Sequence, residues 1–356
     1  MKNRWWATHR SDVVCLGGLA SVAFGLGTLV FALLSPERIW LYSAMFGPAV
    51  MVAAGHGWVE PVVAPGSDLQ RFLNQETDQF DVNTLPEDPP TAEAVSRLAE
   101  QHKYLLSSVA TIWRTFGISW TSVALLAGLL YALNAVFQYG LFRLISGTVP
   151  AGVVAIFLVL SPAQLIMLSD FRDYSKAPFI VGGIWALGRL ALAGSGAARG
   201  IAWSVVLGIV TGTGMGFRQD VLIFVPFCVL VLPFISEDTL RGRWLLRIAR
   251  PAVFCAVFFA AAYGALSGSR EEGTGLFHNA TMGLISPFGA TAGLTDASYS
   301  HGYVYKDGST MSIIRNHGYR TTLRAAQRDG LVLTAESIEA IPSVGAKYDD
   351  ACTSYY

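Results

Sequence analysis

Val13-Val14-Cys15-Leu16-Gly17-Gly18-Leu19-Ala20-Ser21-Val22-Ala23-Phe24-Gly25-Leu26-Gly27-Thr28-Leu29-Val30-Phe31-Ala32-Leu33-Leu34 contains no Asp, Glu, Lys or Arg. As a helix this stretch is long enough to cross a bilayer core of about 30 Å, which needs about 20 residues. It is longer than the apolar core of a signal peptide, and no small-x-small cleavage site follows, so it reads as an anchor. Similar stretches recur at Ile39–Val59, Thr115–Phe142, Leu144–Ser169, Gly200–Phe217, Val221–Ile235 and Pro251–Ser269, and at Ala177–Ala198 around Arg189. None alternates apolar and polar residues as a barrel strand would, so all read as helices.

The whole chain agrees with this reading. Its 356 residues are 53% hydrophobic and only 14% charged, with a mean hydropathy of +0.45. Soluble domains carry roughly a quarter charged residues, and one or two cores cannot hold this much apolar surface. Lys and Arg number 25 against 25 Asp and Glu, so no basic excess points to nucleic acid. Cys15, Cys228, Cys255 and Cys352 form neither a CxxC pair nor a zinc spacing.

Ile39–Val59 differs from the other stretches. It contains Gly47-Pro48 and Gly55-His56-Gly57, and only Ser35-Pro36-Glu37-Arg38 separates it from the first span. It reads as an interfacial or re-entrant helix, which leaves seven spans. With the N-terminus inside, segments 1–12, 143, 189–199 and 236–250 face inward, carrying ten basic residues against Asp12, Glu237 and Asp238. That positive excess matches the positive-inside rule. The expected architecture is an all-α integral membrane protein, N-in and C-out, with a cytoplasmic 1–12, a first span over 13–34 and a helical bundle over 115–269. Two extracytoplasmic domains, 35–114 and 270–356, flank that bundle.

In the first outer domain a helix is expected from Thr91 as N-cap, with Glu93 in its first turn. Val95, Leu98, His102, Leu105 and Val109 form an apolar stripe suited to lying on the membrane. The second outer domain carries expected helices near Thr321–Arg328 and Ala335–Ala340, and Asn279-Ala280-Thr281 matches a glycosylation sequon. Gly212-Thr213-Gly214-Met215-Gly216 lies inside an apolar span and lacks the strand–turn–helix context of a phosphate loop, so it reads as a close-packing site.

Two short outer loops hold the most unusual chemistry: Asp170-Phe171-Arg172-Asp173-Tyr174-Ser175-Lys176 and Arg218-Gln219-Asp220. Charges at a span boundary often serve as anchors, but charges wedged between spans usually face a polar cavity and find partners. Arg172, Lys176 and Arg218 suit a phosphate, which arginine grips in a bidentate way. Asp170 and Asp173 suit a metal ion, a sugar hydroxyl or the neutralisation of those cations; Asp220 is a further candidate beside them.

The layout resembles the membrane module of the glycosyltransferase C superfamily. The resemblance rests on Glu37, Tyr42, Ala44-Met45 and Gly55-His56-Gly57-Trp58-Val59-Glu60-Pro61 at the opening of the first loop. It also rests on His102-Lys103-Tyr104, Trp113-Arg114 and Phe116-Gly117-Ile118-Ser119 at the entry to the second span, and on the acidic loop from Asp170 to Pro178. It implies a polyprenyl-phosphate-linked sugar as donor and an envelope glycan, lipid or protein as acceptor, handled on the outer face of a bacterial inner membrane. It makes Glu37 the base that deprotonates the acceptor, with Asp78 and Asp81 as alternatives. His56 and His278 are further proton-shuttle candidates. Members usually begin the first loop with Asp or Asp-Glu, where this chain has Pro36-Glu37, and commonly continue into further spans. The chain thus reads as a truncated or minimal version. A divalent metal is left open, as is the oligomeric state; the partners expected are the lipid-linked donor and membrane lipid. The rival reading is a transporter or flippase of a lipid-linked or anionic solute, with the same charged loops lining its path.

Overall fold

A computed structural model describes residues 2–33, 45–192, 197–235 and 244–267, together with Arg320, Arg324 and Arg328. Glu37, His278, the Asn279 sequon and the helix expected near Ala335–Ala340 lie outside the described residues. The chain separates into one unit over residues 1–268 and another over 269–356. In the second unit Arg320, Arg324 and Arg328 are helical and exposed, where a helix is expected near Thr321–Arg328.

Every regular element of the described residues is helical; two isolated bridges, Pro61 with Thr91 and Gln79 with Ser119, are the extended pairings found among them. Among the described residues four helices are long and apolar enough to cross a membrane: Ser11–Leu33, Trp120–Phe142, Ala197–Phe217 and Arg247–Leu266. Large apolar side chains such as Val14, Leu33, Leu129, Phe157, Ile223 and Leu230 are exposed on these and neighbouring helices. Such a surface suits lipid and not water.

Helix α1 (Lys2–Leu33) runs antiparallel to the helix that begins at Trp120. At one end the Asp12 carboxylate accepts hydrogen bonds from the Tyr139 hydroxyl (2.6 Å), Arg143 Nε (3.1 Å) and the Thr148 hydroxyl (2.7 Å). Toward the other end the two helices approach through small residues. A Cβ on Gly128 would sit 2.7 Å from the Phe24 carbonyl oxygen, and one on Gly27 would sit 2.7 Å from Tyr131 Cβ.

Between these two helices lies a small helical domain. It holds α2 (Gly47–Ala54), α3 (Asp68–Leu73), α4 (Arg97–Gln101) and α5 (Lys103–Phe116), followed by α6 (Trp120–Phe142). Eight residues span only about 12 Å, so α2 is too short to cross a bilayer. It stops at Gly55, whose φ of +96° is open to glycine at low cost, and Gly57 continues the turn at +86°. Phe46, Phe72, Phe80, Trp113 and Trp120 form an aromatic core with centroid separations of 5.1–6.0 Å.

That core corrects two expectations. The cap of the amphipathic segment is the Ser96 hydroxyl, which accepts from Ala99 N, while Thr91 instead pairs with Pro61. In the stripe, Leu105 and Val109 are fully buried against protein and Val95 and Leu98 partly so, instead of lying on the membrane.

The remaining helices complete the bundle. The stretch expected as one span over 144–169 is broken into α7 (Thr148–Val159) and α8 (Pro162–Met167). Pro162 cannot continue the preceding ladder but fits the first turn of a new helix. The Tyr131 hydroxyl donates to the Val159 carbonyl (2.5 Å), answering one acceptor at the break. After the short α9 (Phe171–Tyr174), α10 (Ala177–Ala191) stacks Trp185 on Phe137, with centroids 5.6 Å apart. Helix α11 (Ala197–Phe217) packs on α13 (Trp244–Leu266) through Gly208 and Gly212, and α12 (Phe224–Val231) follows a 3-10 turn over Gln219–Ile223. The glycines of the 212–216 run serve three neighbours. Gly212 faces Phe258 of α13, Gly214 faces Phe179 of α10, and Gly216 faces Tyr104 of α5.

Candidate functional site

Helix α9 is pinned by its apolar residues. Phe171 is fully buried, with its ring 5.3 Å from Phe31, and Tyr174 is also buried. This leaves Arg172, Asp173 and Lys176 beside the corner where α11 ends. Arg218 is extended there (φ −162°, ψ 132°), which turns the chain into the 3-10 segment carrying Asp220.

Five charges meet in alternating order. Arg172 Nε donates to Asp173 (3.1 Å), and Asp173 pairs with Arg218. Arg218 Nε donates to Asp220 (2.8 Å), and Asp220 pairs with Lys176. The side chains retain between 19% and 40% of their exposure, so the chain of ion pairs is half-buried and open to a ligand. Burial alone would raise the Asp220 carboxyl. The Lys176 hydrogen bond and the Arg218 charge outweigh it and hold the group below the usual carboxylate range. The cations are thus held in position and already partly neutralised by the two carboxylates.

His102 stands at the edge of this cluster. It is 4% exposed, and its Nδ1 lies 2.8 Å from the Leu98 carbonyl. A carbonyl only accepts, so Nδ1 carries the proton and Nε2 presents its lone pair. Nε2 has no hydrogen-bond partner among the described residues. Burial chiefly, and then the nearby charges of Arg172 and Arg218, lower the imidazole from 6.5 to about 4, while Asp220 opposes the shift. His102 is neutral at physiological pH.

Tyr104 fastens the same region. Its hydroxyl donates to the Ala261 carbonyl (2.7 Å) and accepts from Gly264 N (3.1 Å), tying α5 to α13, and its ring lies on Gly216.

The structure therefore brings together Arg172, Asp173, Lys176, Arg218 and Asp220 from loops more than forty residues apart in sequence. Asp170 precedes α9, where its carbonyl accepts from Tyr174 N (2.8 Å). Other candidates serve local structure. Asp78 accepts from the Ser119 hydroxyl (2.7 Å) and from Thr121 N and its hydroxyl (both 2.9 Å), fixing the start of α6. Asp81 caps the 3-10 turn Val82–Thr84 through Asn83 N (3.0 Å). His56 sits in the Gly-His-Gly turn, its backbone N–H donating to Met51 O (2.9 Å). Among the described residues no group of three or more His, Cys, Asp or Glu is arranged to hold a metal ion.

The sequence places His102 outside, in an apolar stripe and in the family-like His102-Lys103-Tyr104, but a lone histidine there is more often structural, so it is not kept as a site residue. Reading the sequence also missed three carboxamides inside apolar runs, Asn134, Gln138 and Gln164. The four-residue spacing of Asn134 and Gln138 is the signal that would have found those two; Gln164 carries no such signal. Comparison with protein-family models, with curated proteins and with solved structures finds no match for this chain.

The buried His102 makes a pH prediction. Below about pH 6.5 an unfolded chain takes up a proton that the native chain refuses until about pH 4. Its stabilising contribution is whole above 6.5 and lost as pH falls toward 4, by about 3 kcal/mol across that window. His102→Gln removes this dependence. From pH 7 to pH 4.5 the wild type should therefore lose thermal stability relative to the variant; melts that stay parallel would mean that His102 is not buried in its neutral form.

Proposed function

We propose that the chain is a membrane glycosyltransferase that takes a sugar from a polyprenyl-phosphate-linked donor and passes it to an envelope acceptor on the extracytoplasmic side. The observation that carries this reading is the alternating chain Arg172–Asp173–Arg218–Asp220–Lys176, with the bare Nε2 of His102 at its edge. This reading takes the four long helices as four crossings and adds the broken Thr148–Met167, Ala177–Ala191 and the apolar stretch 221–235 to reach seven. In this reading the Asp12–Arg143 end is cytoplasmic, and the charged chain faces the periplasm or exterior together with the domain built on α2–α5.

In the reaction the acceptor hydroxyl oxygen attacks the anomeric carbon of the donor, and the bond from that carbon to the phosphate oxygen breaks. Its electron pair leaves on the phosphate, where Arg172, Lys176 and Arg218 stabilise the growing charge. The acceptor proton passes to a base. Glu37 fills that role by resemblance to the family. Asp170 and Asp173 orient hydroxyls. Asp173 and Asp220 hold the cations in place in the empty site and compete with the phosphate when the donor enters.

The break between α7 and α8 beside buried carboxamides favours a second reading, since discontinuous helices near the midplane are a habit of transporters. Proteoliposomes holding a panel of radiolabelled polyprenyl-phosphate sugars and a crude envelope acceptor extract separate the two. Transferase activity appears as label on the acceptor. Movement of intact donor between leaflets, with no label transferred, makes the protein a flippase and ends the transferase reading.

A further inference from the structure

A cavity of about 420 Å³ opens beside the charged chain, walled by Asn134, Gln138, Gln164, Tyr174 and, at its mouth, Asp173 and Lys176. Most of its wall is apolar, with Met167, Ile180 and Val181 beside these groups, and the carboxamides form a polar patch set into it. Asn134 Nδ2 donates to Gln164 Oε1 (3.2 Å) and to the Tyr174 hydroxyl (3.1 Å), and Gln138 Nε2 donates to the same Gln164 oxygen (3.2 Å). Asn134 and Gln138 are 3% and 7% exposed, yet Asn134 Oδ1 and Gln138 Oε1 have no hydrogen-bond partner among the described residues.

Burying an unanswered amide oxygen carries the desolvation cost of that group with nothing to offset it. Three carboxamides at one level of an apolar bundle are thus an expense that packing alone does not require. Rotating all three amides by half a turn keeps their mutual bonds, reverses the direction of each, and makes the free ends N–H donors in place of acceptors. A hydroxyl group donates and accepts, so it answers the free ends in either orientation. A carboxylate or an ammonium answers only one.

We propose that this cavity is a hydroxyl-recognition subsite that takes a sugar ring, seated on Asn134 and Gln138 with Gln164 and Tyr174 holding the two amides in place. Naming that ring as the donor's sugar rests on the function proposed above. Recognition of a polyhydroxylated ligand rests on the carboxamides alone. Asp173 and Lys176 belong to both the cavity mouth and the charged chain, so a ring in the cavity has its phosphate beside Arg218.

The test uses the full chain in phosphocholine nanodiscs and two probes. Radiolabelled hexyl glycosides of common hexoses and pentoses carry hydroxyls without phosphate, and polyprenyl phosphate carries phosphate without a sugar. At least one glycoside should bind the wild type, and Asn134→Leu and Gln138→Leu should each weaken it about tenfold. Gln138→Met, closer in shape, serves as a second variant if Gln138→Leu does not fold. Failure of every glycoside to bind, or equal binding by the folded variants, would overturn the subsite and leave a water-filled cleft. Glycoside binding without polyprenyl phosphate binding would uphold the subsite and remove the lipid-phosphate donor instead.

Discussion

Arg218→Gln is expected to lower kcat/KM for sugar transfer by about 10²–10³-fold, the usual loss when one donor to a developing oxyanion is removed. Arg218 occupies the middle of the charged chain, reaching Asp173 with one nitrogen and Asp220 with another. Glutamine keeps much of the length and loses the charge and the fork. The loss should fall mainly on kcat, because the phosphate gains charge as the sugar departs. Arg218→Lys should recover only part of the activity, since a compact ammonium does not bridge two carboxylates and a phosphate oxygen as a planar guanidinium does. Folding should suffer little, as half-exposed ion pairs contribute modestly to stability. A variant within threefold of wild type would remove Arg218 from the phosphate site.

Gly212→Leu should produce the largest loss of folded protein. A Cβ at this position would lie 2.5 Å from the Phe258 carbonyl oxygen and 3.1 Å from Phe258 Cα. These are backbone atoms of α13, which no rotamer change moves aside. The helices must separate, and Leu207, Phe254 and Phe258, all buried at 0% exposure, lose their contacts. Overpacking a tight core costs about 1–3 kcal/mol, and a clash with backbone should reach or pass the upper figure. Gly18→Ala provides the contrast. A Cβ there meets nothing within 4 Å, and alanine favours a helix by about 0.5–1 kcal/mol. Melting of detergent-solubilised protein should place the two variants on opposite sides of wild type. A Gly212→Leu protein melting with the wild type would contradict the packing of α11 on α13.

What could be read from residues alone follows from what each signal measures. Runs free of charge locate apolar helices, so α1 and α6 were legible, and the glycines at 212–216 announced close packing. Absence of charge does not register a break, which is why 144–169 read as one span although Ser161-Pro162 already marked the start of α8. Periodicity showed the stripe through Leu105 and Val109 but not what covers it. The helix Gly47–Ala54 packs on α5, and Phe46, Phe72 and Trp120 close on Trp113 of α5 from other parts of the chain. The two charged loops stood out singly, whereas their alternating order depends on α9 meeting the corner at Arg218. His102 was opaque for the same reason, because its neighbours Arg172 and Arg218 are far away in sequence.

The central claim is that the charged chain holds a lipid phosphate, and photo-crosslinking tests it most directly. A polyprenyl phosphate carrying a photoreactive group next to its phosphate would be irradiated with the full chain in nanodiscs, and the labelled peptides identified. Label is expected on the segments around Arg172–Lys176 and Arg218–Asp220 and should disappear with Arg218→Gln. Label confined to the other end of the bundle, on the peptide holding Arg143 near Asp12, would contradict the assignment.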